Sequence, residues 1–268
     1  MPPSPPSAAT LPAGRVAGAG SPALRSRLAG PPASGTVVHA GDHAVYARFP
    51  DGVVGVVARS AVHVPAAIST TLLRLPTIPV GAPAALGDGT LRVGPLTVGV
   101  DRLVATDVPA LADPVAAGSL LADVLPDLAV VRRQLPATAL DDLAAGDPAA
   151  VLPLVGRGDG LTPVGDDVLA GWLVTARAAG RPTSAMAAAV AAAAERTTDL
   201  SATLLAHAAD GAAIPPFRAL LLALAAGAGA GTAAAALAAV GHTSGAGMLL
   251  GASLALTPAP ETPEGSPR

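Results

Sequence analysis

Residues 36–59 read TVVHAGDHAVYARFPDGVVGVVAR, two Val-rich runs that meet at Pro50-Asp51-Gly52. Runs of β-branched and aromatic residues bounded by Gly, Pro and Asp have the texture of strands. Pro-Asp-Gly reads as a hairpin turn, because Gly52 can supply a positive φ without a steric cost. The same punctuation continues through TLRVGPL and TVGVDRLVA. Residues 36–110 are therefore expected to form a small antiparallel β domain, a barrel or a curled sheet.

Downstream the texture becomes helical. LADPVAAGSLLADVLPDLAVVRRQL, DDVLAGWLVTARAAG and PFRALLLALAAG are Ala/Leu segments separated by Gly or Pro, with Asp, Ser or Thr at several fronts. Residues 111–256 are expected to be an α-helical bundle, which makes the fold class α+β. Residues 1–35 and 257–268 are rich in Pro, Ser, Ala and Gly without periodicity, and both are expected to be disordered tails. The N-terminal stretch lacks the uninterrupted apolar run of a secretory signal. Residues 219–240 carry no charge over 22 residues, enough to span a bilayer. They are mostly Ala and Gly, which insert weakly, and Gly227, Gly229 and Gly231 invite a break into two short helices. No membrane association is expected.

Composition removes whole chemistries. Of the 268 residues, 51% are hydrophobic and only 1% aromatic, so Ala, Val and Leu must build the core around Tyr46, Phe49, Trp172 and Phe217. There is no Cys, which rules out disulfides, thiolate nucleophiles and Cys-ligated metal. All 16 basic residues are Arg, so neither a Schiff-base lysine nor the P-loop lysine is present. A net charge of -3 with few aromatics offers neither a basic patch nor a stacking platform for nucleic acid.

Three motifs carry the candidate chemistry. The first, GRGDGLTPVGDD over 156–167, is a Gly-rich turn running into a helix. Gly156, Gly158 and Gly160 let the backbone approach a ligand, Thr162-Pro163 reads as N-cap plus first helical residue, and Arg157 and Leu161 lie within the turn. Such a turn presents free N–H groups to phosphate or carboxylate. Asp166 and Asp167, beside Gly165, would repel an anion unless they bind a cation such as Mg²⁺ or orient an amide. The structural alternative is a tight turn whose aspartates favour a helix N-terminus.

The second motif is GHTSGAG over 241–247, where Thr243, Ser244 and Gly245 again precede a helix. His242 is a candidate acid or base there, and capping is the plainer role for the hydroxyls. The third is ERTTDLS over 195–201. On a helix Thr197 and Thr198 each share a face with Ser201, and Thr203 and His207 form a further i, i+4 pair. By spacing alone this reads first as a helix junction with hydroxyl caps. The remaining histidines, His39, His43 and His63, lack ligand spacing and read as ordinary surface or packing residues.

In this order the three blocks resemble the family of the AllH-type subunit of oxamate carbamoyltransferase, which carries a GxGPGLTPSGDD-like block, a TT-x-x-S block and a G-x-TSG block. The resemblance spans about 156–251. Asp159 stands where the family usually has Pro, Val164 where it has Ser, and Gly247 where many members have an acidic residue. It implies a bacterial, cytoplasmic subunit of a hetero-oligomeric transferase in purine or allantoin nitrogen catabolism. Its small anionic substrates would be carbamoyl phosphate and oxamate, giving oxalurate and phosphate, with no cofactor evident beyond a possible Mg²⁺ at Asp166 and Asp167. Under that resemblance Gly156 to Thr162 bind phosphate, Asp166 and Asp167 orient an amide or a cation, and Thr243-Ser244 bind carboxylate. The alternative is a non-catalytic anion-binding or scaffolding subunit whose Gly-rich turns only pack helices closely.

Overall fold

The computed structural model describes residues 14–257. Eight strands come first: β1 (Val16–Gly20), β2 (Ala33–Ala40), β3 (Ala44–Phe49), β4 (Gly52–Val57), β5 (Ala67–Thr70), β6 (Pro83–Gly87), β7 (Thr90–Val93) and β8 (Leu96–Leu103), with helix α1 (Pro22–Leu28) after β1. They close into a barrel in the order β1-β5-β4-β3-β2-β6-β7-β8. The Pro50-Asp51 turn pairs Phe49 with Gly52, whose φ is +113°, as the hairpin reading requires. Asp88 and Gly89 turn the β6–β7 hairpin with φ of +53° and +71°, the two positive angles of a primed turn. Val54, Val56, Ile68, Leu91, Leu96 and Val98 fill the barrel interior.

Two expectations are corrected here. The β region is not an antiparallel domain followed by a bundle: β1 pairs with β8 in parallel, and so does β4 with β5. Both pairings are long-range or cross an irregular connection, so nothing in the local strand texture announces them. The stretch expected to be a disordered tail over 1–35 also supplies β1, α1 and the start of β2 within its described part. Barrel closure orders it. Val16, Leu24 and Leu28 are buried, and Arg15 pairs with Asp101 on β8 at 2.7 Å. A local signal was present, since Ser21 caps α1 through the N–H of Leu24 and Pro22 occupies its first turn. Residues 1–13 and 258–268 lie outside the described residues.

The helices follow: α2 (Pro114–Val124), α3 (Ala129–Arg132), α4 (Ala137–Ala145), α5 (Val151–Leu154), α6 (Val164–Ala178), α7 (Ser184–Ala192), α8 (Asp199–Ala209), α9 (Pro215–Ala226), α10 (Ala230–Ala238) and α11 (Ser244–Leu256). In α6 only Ala170 and Arg177 escape burial, so it is the central helix around which the others pack. Helix α11 lies along it with backbone against backbone. A Cβ at Gly251 would sit 2.0 Å from the Val168 carbonyl oxygen, and one at Gly171 would sit 2.3 Å from that of Met248. Helix α8 joins the helices to the barrel, where the Thr203 hydroxyl accepts the Val53 N–H at 2.9 Å and Arg48 pairs with Asp199 at 3.1 Å. The uncharged stretch over 219–240 breaks at Gly227 and Gly229, both at positive φ, into α9 and α10. Among the described residues no helix is long and apolar enough to cross a membrane.

Candidate functional site

The three motifs, far apart in sequence, meet where the N-termini of α6, α8 and α11 converge. Asp166 and Asp167 open α6 and are 2% and 4% exposed, unusually deep for two adjacent carboxylates. Asp166 is tied on both oxygens. The Gly156 N–H donates to its Oδ1 at 2.8 Å, and the Thr197 hydroxyl donates to its Oδ2. Burial raises its pKa, against which the Thr197 hydroxyl, the Gly156 N–H and the Ser201 hydroxyl favour the charged form. Gly156 has φ of +69°, and a Cβ there would meet the Arg196 carbonyl oxygen at 2.1 Å, so the first motif and the third are pressed together.

Asp167 is placed differently. Its Oδ2 is buried and has no hydrogen-bond partner among the described residues. Burial pushes its carboxyl up to about 8; the Ser244 hydroxyl pulls it down and the neighbouring Asp166 pushes it further up. One carboxylate of the pair is therefore an anchored acceptor, and the other is held toward the neutral acid near pH 7. The Thr162 and Ser244 hydroxyls lie 3.1 Å apart, which brings the first and second motifs together beside Asp167.

Other expectations are redistributed. Helix α6 begins at Val164, with Pro163 rather than Thr162 at its cap position, so Thr162 is freed to meet Ser244. Thr198 does cap α8, accepting from the Ser201 N–H at 3.0 Å while donating to the Leu161 carbonyl at 2.6 Å. Thr243 occupies the α11 cap position without a side-chain cap bond, and His242 is exposed on the preceding turn. Arg157 is exposed, with its Nε bonded to the Gln134 carbonyl at 2.8 Å. Gly165 and Gly245 are buried at close backbone contacts: a Cβ would fall 2.0 Å from the Leu154 oxygen and 1.8 Å from the Leu237 oxygen. The N–H groups of Gly158 to Thr162 make no hydrogen bond to described residues, and this part of the turn is largely exposed.

The pair does not fit a divalent cation well. Both Asp166 oxygens are committed, and Asp167 would have to ionise in a dry setting. Among the described residues no group of three or more His, Cys, Asp or Glu side chains comes together to hold a metal. Two of the departures noted above touch each other, since a Cβ on Gly247 would lie 2.9 Å from the Asp167 Cβ and 3.4 Å from Val164 Cγ2. A larger residue at 247 would press on the site.

A sizeable cavity lies elsewhere. About 720 Å³ of space opens between the β3–β4 hairpin and α8, and Thr197 forms part of its wall. Arg27, Arg48 and His207 line it. His207 had a weak signal in its pairing with Thr203; the two arginines had none, because α1 and β3 contribute them through the fold alone.

The family model for oxamate carbamoyltransferase subunit AllH matches residues 154–256. The AllH match starts at the end of α5 and stops at the end of α11, so it contains all three motifs and the carboxylate pair. It bears out the resemblance drawn from those motifs. The barrel lies outside the AllH span. No curated protein and no solved structure matches the chain.

Proposed function

We propose that this chain is a subunit of a carbamoyltransferase that moves a carbamoyl group between carbamoyl phosphate and oxamate, in purine or allantoin nitrogen catabolism, together with partner subunits. The observation that carries the reading is the convergence of all three motifs on Asp166 and Asp167. In the transfer the oxamate amide nitrogen attacks the carbamoyl carbon and the bond to the phosphate oxygen breaks. The nitrogen's proton leaves with phosphate, giving oxalurate. No covalent nucleophile is needed, so positioning and carbonyl polarisation suffice, which suits a chain without Cys or Lys.

The free N–H groups of Gly158 to Thr162 receive phosphate, the Thr162–Ser244 hydroxyl pair with Thr243 receives carboxylate, and Asp167 orients the amide. Asp166, bound by Gly156 and Thr197, is a positioning residue that holds the turn and α8 in register. Thermal-shift titration with carbamoyl phosphate, phosphate, oxamate and oxalurate, each with and without Mg²⁺, tests this. A ligand at a hundred times its Kd adds about 2.7 kcal/mol of stability. The expected result is a shift with carbamoyl phosphate that Thr162→Ala and Asp167→Asn remove.

A second reading has its own support. Gly165, Gly245 and Gly251 all serve close backbone contacts, as they would in a scaffolding subunit without catalysis. Absence of any shift, with the chain alone or with its partner subunits, would favour that reading.

A further inference from the structure

The cleft between the barrel and α8 is built from small and polar residues. Alanines such as Ala202 and Ala206 face the β3–β4 hairpin and leave the space open. Its volume of about 720 Å³ lies in the range of small-molecule sites. Arg27 holds one wall: its guanidinium donates to the carbonyls of Val53 and Gly52, each at 3.1 Å, and pairs with Asp51. Arg48 pairs with Asp199 at the rim.

Besides the buried Nε of Arg27, which has no partner among the described residues, three lining groups keep free hydrogen-bonding capacity. His207, Glu195 and Asp210 make no side-chain hydrogen bond to described residues, and all three border the cleft. Burial lowers the His207 imidazole, with Asp210 opposing and Arg27 reinforcing, so the ring is neutral at pH 7 and offers one donor and one acceptor. With the two arginines matched by Asp51 and Asp199, Glu195 and Asp210 give the lining a surplus of acceptors and of negative charge. A free phosphate or carboxylate is disfavoured there. A molecule carrying N–H donors for the carboxylates and a carbonyl for the imidazole or the rim arginine is favoured.

We infer that the cleft between the β3–β4 hairpin and α8 is a second binding site, which takes a small neutral amide or ureide. Apart from Thr197 it uses residues outside the α6–α11 site, so its test is distinct from that of the transferase reading. Thr197 borders this cleft and also donates to Asp166, so the two places share one side chain.

Nitrogen-15 NMR titration of the full chain with hydantoin, a neutral cyclic ureide, tests the inference; inorganic phosphate and butylammonium are the other arms. Saturable shifts at the amides of Gly52, Thr203 and His207 with hydantoin are expected. Ala206→Leu, which fills the space from an exposed helix position, should abolish them with the rest of the spectrum native. Glu195→Gln, a surface change that spares the packing, should weaken them if the first variant is unstable. The inference is overturned if hydantoin gives no saturable shift, if phosphate or butylammonium moves these amides instead, or if both variants bind undiminished.

Discussion

The seam between α6 and α11 and the seam between α8 and the barrel are both helix contacts, yet they are built in opposite ways. At α6–α11, glycines let two backbones touch, and the desolvation that follows keeps Asp167 toward its neutral form. At α8 the facing residues are alanines and polar groups, and a cleft is left open. The same small-residue composition thus gives a close-packed junction in one place and an open cleft in the other. What differs is whether the partner is a helix that can come close or a barrel whose hairpin cannot.

The sharpest way to break this contrast is Gly251→Ala. Its new methyl would meet the Val168 carbonyl at 2.0 Å, with backbone on both sides and nowhere to relax. A loss of about 3 kcal/mol is expected, the upper end of overpacking costs, read as a lower denaturation midpoint. A neutral result would mean that the two helices are not held in backbone contact.

Asp166→Ala comes next. It strands the Gly156 N–H and the Thr197 hydroxyl, at a cost of about 1–3 kcal/mol. Amide hydrogen exchange at Gly156 should accelerate in this variant; unchanged protection would show that the carboxylate is not the anchor.

The pH dependence sharpens the distinction between the two carboxylates. An unfolded Asp titrates near pH 3.9, whereas the folded Asp167 titrates at about 8. Between those values the native state binds more protons than the unfolded chain, so stability falls as pH rises through that window. Asp167→Asn should flatten this slope, which reaches at most about 1.4 kcal/mol per pH unit in wild type, as measured by urea denaturation at each pH. A slope equal to that of wild type would return Asp167 to an ordinary carboxylate.

The smallest effect is expected at the other seam. Ala206→Leu adds volume into open space and should change stability by no more than about 0.5 kcal/mol. A larger loss would mean that this seam is as close-packed as the first.

Much of the molecule was legible in local patterns. The Pro50-Asp51-Gly52 hairpin, the break at Gly227 and Gly229, and the capping of α8 by Thr198 all rest on interactions within a few residues, so composition and spacing report them. The three motifs were legible for the same reason: each is a contiguous run. The parallel pairings of β1 with β8 and of β4 with β5 were not, because strand texture records that a segment pairs, not with which partner or in which direction. The ordering of residues 14–35 was hidden likewise. Their burial is supplied by a barrel that the segment itself helps to close.

The inequality of Asp166 and Asp167 belongs to the same class. As neighbours in one Gly-Asp-Asp run they look alike, and only the fold assigns one to Gly156 and Thr197 and leaves the other with a bare oxygen. By itself, then, the sequence determined the absence of thiol and lysine chemistry, the strand and helix textures and the three motif runs, because these are properties of composition and of contacts a few residues long. The tertiary structure alone decided barrel closure, the convergence of the motifs, the split between the two carboxylates and the cleft against α8, because desolvation and close approach depend on partners from 10 to 150 residues away.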